Sequence, residues 1–339
     1  VITYERELTA LFQQHMAPLL PFMADPTVQE IMVNSPDNVW IERRGEMTQL
    51  DVELSPSNLS GGLRTLSNLA TKGRAPFIDA RLPGYRFAAV HHPFAVHGDA
   101  IAIRKHSPTQ LSVDDYLERG LLNRIPLPAE LAAERPDPAA VAQGGRALAD
   151  FLGWVMRSGA NVLVSGGTST GKTTFINALI SQIRRERRLI SIEDTRELEL
   201  VHPNSVQFEC NADMGFSMQD AVRLLMRFRP DQPVIGEVRD GTAYDYLDVL
   251  NTGHSGGICS IHADSDELAL YRLEDLVRQS PKASTLPLGA LRRKIGSAIH
   301  YVIQASRYRH ERFPLSVLAV LGVDEQDRYQ TQRLYHRFY

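Results

Sequence analysis

Cysteine is almost missing from this chain, and its scarcity closes off two architectures at once. Only Cys210 and Cys259 occur, far apart and without a CxxC spacing, so neither a disulfide framework nor a four-cysteine zinc module can be built. Long apolar runs are missing as well. No segment approaches the ~20 apolar residues of a membrane span, and nothing at the start joins a basic stretch to an apolar h-region, so a soluble or peripheral protein is expected. Neither sign of charge is in excess: 37 Lys and Arg against 40 Asp and Glu leave a formal net charge of -3. That balance argues against a surface built wholly for nucleic acid, although local basic patches stay open. Internal repeats and low-complexity tracts are also absent. With 339 residues, 43% of them hydrophobic, the chain can form two or three domains with cores of their own.

Apolar residues recur at helical spacing from Leu8 to Met23, broken by Pro18 and Pro21. Residues 30–34 and 38–42 read as two short strands about the turn residues Ser35, Pro36 and Asp37, which predicts a hairpin. Residues 59–70 read as a helix, and residues 87–90 and 100–103 as further strands. An α+β N-terminal domain is expected over residues 1–122. Pro126, Pro128, Pro136, Pro138 and two glycines then mark residues 123–145 as an interdomain linker. Beyond it, residues 147–156 read as a helix, 161–165 as a buried strand, and 173–184 as the next helix. Residues 189–192 and 234–236 are short apolar runs followed by acids, the pattern of parallel strands delivering side chains to one sheet edge. Residues 146–339 are therefore expected to form an α/β nucleotide-binding domain.

Between the buried strand and the helix stands Gly166-Gly167-Thr168-Ser169-Thr170-Gly171-Lys172-Thr173, followed by Thr174. Such a loop lets backbone N–H groups converge on phosphate oxygens while the helix N-terminus adds its positive dipole end. Lys172 supplies a mobile charge for the β and γ phosphates, and the Thr173 hydroxyl completes the coordination of Mg2+. Complete motif and correct context together predict binding of ATP or a similar triphosphate. Hydrolysis further needs one acid for the metal's water shell and another for the attacking water. Glu193 follows one strand. Glu237 is read as ending another, where a Walker B acid would stand, and would reach the metal through water. His254 and His262 lack the further ligands a zinc site needs, but a histidine at a strand end can sense the γ-phosphate by hydrogen bonding. Arg223, Arg227, Arg229 and Arg239 surround the Glu237 strand, and Arg81, Arg86 and Arg104 lie in the N-terminal part. Charge developing on a transferred phosphoryl group calls for such donors, often from a neighbouring domain or subunit. The basic run from Arg184 to Arg188 is read as ending a helix, where cations suit the dipole.

These boxes, in this order, resemble the ATPases of the type II and type IV secretion superfamily, most nearly the hexameric ATPases of type IV secretion and conjugative transfer. SGGTSTGKTT (165–174), IEDTREL (192–198), RPDQPVIGEVR (229–239) and the histidine box (252–263) carry the resemblance. VQEIMVN (28–34) and APFIDAR (75–81) look like that family's first domain. The resemblance implies a RecA-like P-loop NTPase domain preceded by a smaller α+β domain, with ATP held between them. It also implies a homohexameric ring, peripheral to the cytoplasmic face of the bacterial inner membrane and in contact with inner-membrane components of a secretion channel. Lys172, Thr173, Glu193, Glu237 and His262 fall on that family's site residues, and Arg86 and Arg104 on its N-terminal arginines. Pro233 and Gln232 depart from the usual residues before the Walker B strand, which shortens that strand. The missing tetracysteine module disfavours a type II secretion or pilus-extension ATPase. A pilus-retraction motor remains an alternative within the class. A nucleic-acid translocase, with direct binding of single strands, is the alternative outside it.

Overall fold

The computed structural model describes residues 2–70, 76–106, 112–124 and 136–338. The middle of the expected linker, with Pro126 and Pro128, lies outside the described residues. Two sheets organise the remainder. The first contains β1 (Val28–Ser35), β2 (Asn38–Arg43), β3 (Glu46–Leu50), β4 (Phe77–Leu82), β5 (Tyr85–Val90) and β6 (Ala100–Lys105). It is antiparallel throughout, in the order β3-β2-β1-β6-β5-β4. The predicted hairpin is β1–β2, its turn tied by the Ser35 hydroxyl donating to Asp37 at 2.6 Å. Period-two alternation gives this sheet two different faces. Phe87, Ala89, Ile101 and Ile103 pack with Phe12, Leu59 and Leu63 of the helices Ile2–His15 and Pro56–Leu69. Ala88, Val90, Ala100 and Ala102 point the other way, into the core of the second sheet. Small side chains on that face let the two halves approach closely.

The second sheet has eight strands: β7 (Val162–Ser165), β8 (Leu189–Glu193), β9 (Ser205–Glu209), β10 (Gln232–Ile235), β11 (Ile258–Ile261), β12 (Tyr301–Tyr308), β13 (Glu311–Val323) and β14 (Tyr329–His336). Their order is β14-β13-β12-β7-β11-β10-β8-β9. The strands from β12 to β9 run parallel, and β13 and β14 extend the sheet antiparallel. The central strands are buried on both faces, which is why they read as unbroken apolar runs rather than alternating ones. Helices Gly145–Ser158 and Lys172–Ile180 cover one face; Met218–Leu225, Thr242–Asn251, Asp266–Arg278 and Leu288–Ala298 contribute to the core on the other.

Some expectations need correction. β10 stops at Ile235, so Glu237 stands two residues beyond the strand rather than at its end. The helix after the glycine loop ends at Ile180, so the basic run from Arg184 lies outside it. Arg188 is not a solvated helix cap. It is fully buried between the two sheets, its guanidinium donating to Asn34 at 2.6 Å, Asn204 at 3.1 Å and the Phe228 carbonyl at 2.6 Å. Two more ties cross the same boundary: Arg229 donates to both carboxylate oxygens of Glu42, at 2.6 and 3.2 Å, and Arg227 pairs with Asp79. The segment between β5 and β6 pairs with edge strand β9 through the bridge Ala95–Phe208.

Candidate active site

Strand β7 delivers Gly166 to the sheet edge, and the chain curls back to begin a helix at Lys172. Gly171 at φ +88° and Ser169 at φ +60° make the bend, and the Thr170 hydroxyl fastens it by donating to the Gly167 carbonyl at 2.9 Å. Glycine takes such an angle at no steric cost, whereas Ser169 is held in it against the usual preference of a residue with a Cβ. Lys172 is buried under the loop, with Nζ donating to the carbonyls of Gly166 at 3.0 Å and Gly167 at 3.1 Å. Burial lowers its pKa, opposed by the carboxylates of Glu237 and Glu197. The Thr173 hydroxyl donates to Glu197 at 2.9 Å. Above the loop lies a cavity of about 510 Å³ whose walls include Thr168 through Thr174 together with Glu193, Glu237 and His262. Residues as far apart in sequence as Thr168 and His262 thus meet in one place.

Parallel pairing explains the meeting. With β8, β10, β11 and β7 adjacent and in register, whatever follows each strand emerges at the same edge. Glu237 sits at the centre: Oε2 accepts from Arg239 at 2.8 Å, and Oε1 lies 3.2 Å from His262 Nε2. That imidazole nitrogen is also 3.3 Å from Lys172 Nζ, so its tautomer decides whether it donates to the acid or accepts from the lysine. Burial would raise the Glu237 pKa, but the Arg239 hydrogen bond and the charges of His262, Arg239 and Lys172 outweigh it, and the carboxyl is held below its ordinary range. Glu193 is the opposite case. Burial raises its pKa even though Oε1 accepts the backbone N–H groups of Glu197 and Leu198, both at 3.0 Å. The two acids are therefore tuned apart. Gly236 makes room for this: a Cβ there would stand 2.8 Å from Glu193 Cγ.

Arg86 and Arg104 are not in this cavity. They line another, of about 340 Å³, between the two sheets, together with Glu30, Glu42 and His254. There Arg104 lies 3.6 Å from Glu30 and Arg86 lies 3.7 Å from Asp79. The loop cavity instead receives Arg239, Glu197 and Arg312. Arg239 and Glu197 fall inside the acidic and Walker B boxes, where the sequence already pointed. Arg312 belongs to no motif and comes from the start of β13, a part of the chain the sequence left unread. The oxygen donors around the loop, the Thr173 hydroxyl and the Glu237, Glu197 and Asp194 carboxylates, are the hard set that a small divalent cation such as Mg2+ takes.

Comparison with known proteins agrees with this geometry. The profile of the family described as "Type II/IV secretion system protein" matches residues 13–307. The chain is 32% identical over 312 residues to the type IV secretion system protein VirB11 of Brucella suis biovar 1, covering 88% of this chain and 86% of that protein. It is 30% identical over 323 residues to the conjugal transfer protein TrbB of Rhizobium radiobacter, covering 91% and 88%. Among solved structures it is similar to the VirB11 ATPase from the Brucella suis type IV secretion system, crystallised with sulphate. The TM-score is 0.80 at 28% identity, with 92% of this chain and 96% of that one covered. The expected α+β domain followed by a RecA-like P-loop domain is the fold found. Matched along most of its length, and with a phosphate loop, two acids and a histidine gathered at one sheet edge, the chain belongs to the type II/IV secretion system protein family as an ATPase of the type IV secretion branch.

Proposed function

We propose that this chain is the motor subunit of a bacterial type IV secretion system, hydrolysing ATP with Mg2+ as a homohexamer at the cytoplasmic face of the inner membrane. The observation that carries the reading is the convergence of Lys172, Thr173, Glu193, Glu237 and His262 on one cavity. Among the described residues no helix is long and apolar enough to cross a membrane.

The division of labour follows from the electrostatics. The loop N–H groups and Lys172 bind the phosphates and compensate charge on them. Glu237, held ionised by Arg239, and the Thr173 hydroxyl are the groups that would hold Mg2+. Mg2+ when bound neutralises charge on the β and γ phosphate oxygens. Glu193, whose raised pKa moves it toward neutral pH, keeps one oxygen clear of backbone N–H groups to orient or deprotonate the attacking water. His262, between Lys172 and Glu237, reports γ-phosphate to both sides. Arg86 and Arg104 complete charge compensation by approaching a phosphate from the N-terminal sheet, either on closure of that sheet or from a neighbouring copy.

Phosphate release, nucleotide binding and light scattering are measured on the wild type and on Glu237→Gln. The expected outcome is a nucleotide-stabilised ring in which Glu237→Gln binds ATP but turns over at least ~100-fold more slowly, the scale of losing one preorganised electrostatic stabiliser of the transition state. Normal turnover by Glu237→Gln would sink this assignment. Strong stimulation by single-stranded DNA that fades with salt would favour a translocase instead.

A further inference from the structure

Strand β12 runs parallel to β7 in the register Gln304 opposite Ser165, so Ala305 to Tyr308 continue past the point where β7 ends. The β12–β13 hairpin, closed at Arg309 and His310, therefore overhangs the phosphate loop by about 13 Å of extended chain. Its contact with the loop is tight. A Cβ on Gly166 would lie 2.6 Å from the Ala305 carbonyl oxygen, and one on Gly171 would lie 3.0 Å from Cδ and 3.2 Å from Cβ of Arg312. The aliphatic stem of Arg312 is thus laid along the loop residue that precedes Lys172, and the residue lines the nucleotide cavity. The pairing shifts between Gln304 and Ala305, leaving Leu315 as an extra residue, and is regular from there through Arg307 opposite Arg312.

The neighbours of Arg312 have other work. Glu311 accepts from Arg337 at 3.3 Å, and the same guanidinium sits 4.1 Å over the Phe313 ring. Among the described residues no hydrogen bond or ion pair engages the Arg312 guanidinium itself, which is exposed at the cavity. The loop accordingly has two unlike walls. On the β11-β10-β8 side stand His262, Glu237 and Glu193; on the β12-β13 side stands this one cation. A triphosphate whose γ end meets the acids directs its α and β phosphates toward the hairpin.

We propose that Arg312 is a nucleotide-binding residue that grips the α and β phosphates, and that the β12–β13 hairpin forms the nucleoside-side wall of the ATP site. This rests on the ATP-site reading above. Arg312 holds a part of the nucleotide common to ATP and ADP, so it contributes to binding both before and after hydrolysis. Its loss is then a loss of uniform binding, distinct from the loss of a group that acts on the γ-phosphoryl alone.

Wild type, Arg312→Gln and Arg312→Lys are titrated with ATP and with ADP, and KM and kcat are measured for ATP. Arg312→Gln keeps most of the stem over Gly171 while removing the charge. The expected result is a loss of affinity for both nucleotides by the same factor, about tenfold. KM rises in parallel, kcat changes far less, and Arg312→Lys recovers part of the affinity. Unchanged affinities, or a loss confined to ATP, overturn the assignment of Arg312. Failure of the wild type to bind either nucleotide would instead overturn the ATP-site reading itself.

Discussion

Lys172 is held by two carbonyl oxygens of its own loop, by an imidazole and by the field of two carboxylates. A replacement must match both the reach and the charge, and no neutral side chain does. Lys172→Ala is expected to abolish nucleotide binding, seen as the loss of any saturable signal in a fluorescent-nucleotide titration; retained binding with normal affinity would contradict the role assigned to it. The nearby acids differ from one another for a reason visible only in three dimensions. Glu193 and Glu237 both follow apolar runs, and nothing in the sequence separates a carboxylate facing two backbone N–H groups from one facing an arginine and a histidine. Their positions were legible in the sequence; the opposite directions of their pKa shifts were not.

At the scale of elements, the phosphate loop depends on the strand beside it. The Ala305 carbonyl belongs to a paired backbone and cannot move aside, so a methyl group at Gly166 forces the loop or β12 out of place. Gly166→Ala should cost about 1–3 kcal/mol of stability, the range for overpacking a close-packed site. Nucleotide binding should fall with it, as read by thermal denaturation and by titration; a variant as stable and as competent as the wild type would show that the contact gives way. β12–β14 also mark where sequence reading stopped. The glycine loop and the central strands carry motifs or unbroken apolar runs, whereas β13 and β14 mix buried and exposed residues irregularly about two register shifts. β3 was hidden differently: it is a short edge strand with no buried residue, and so lacks a hydrophobic pattern.

On the scale of the whole molecule, the two sheets meet through charged groups taken out of water, which ties their union to pH. Burial pushes the Glu30 pKa from 4.5 up to about 7, with Arg104 and Arg229 opposing it. Between those values the folded chain holds a proton that the unfolded chain has released. Stability from this group therefore falls as pH rises from 4.5 to about 7 and levels off above. The whole effect amounts to at most about 3 kcal/mol. Glu30→Gln is expected to flatten the dependence of Tm on pH over that interval; an unchanged slope would assign it to other groups.

Arg188 immediately precedes the five-residue strand β8 and Glu193 ends it, one rooted in Asn34 of the first sheet and the other in the wall of the ATP cavity. A strand hydrogen-bonded on both sides neither stretches nor bends over its roughly 16 Å. β8 is thus a connecting rod: on the role proposed for Glu193, the position of the first sheet sets the stroke at which the acid meets its water.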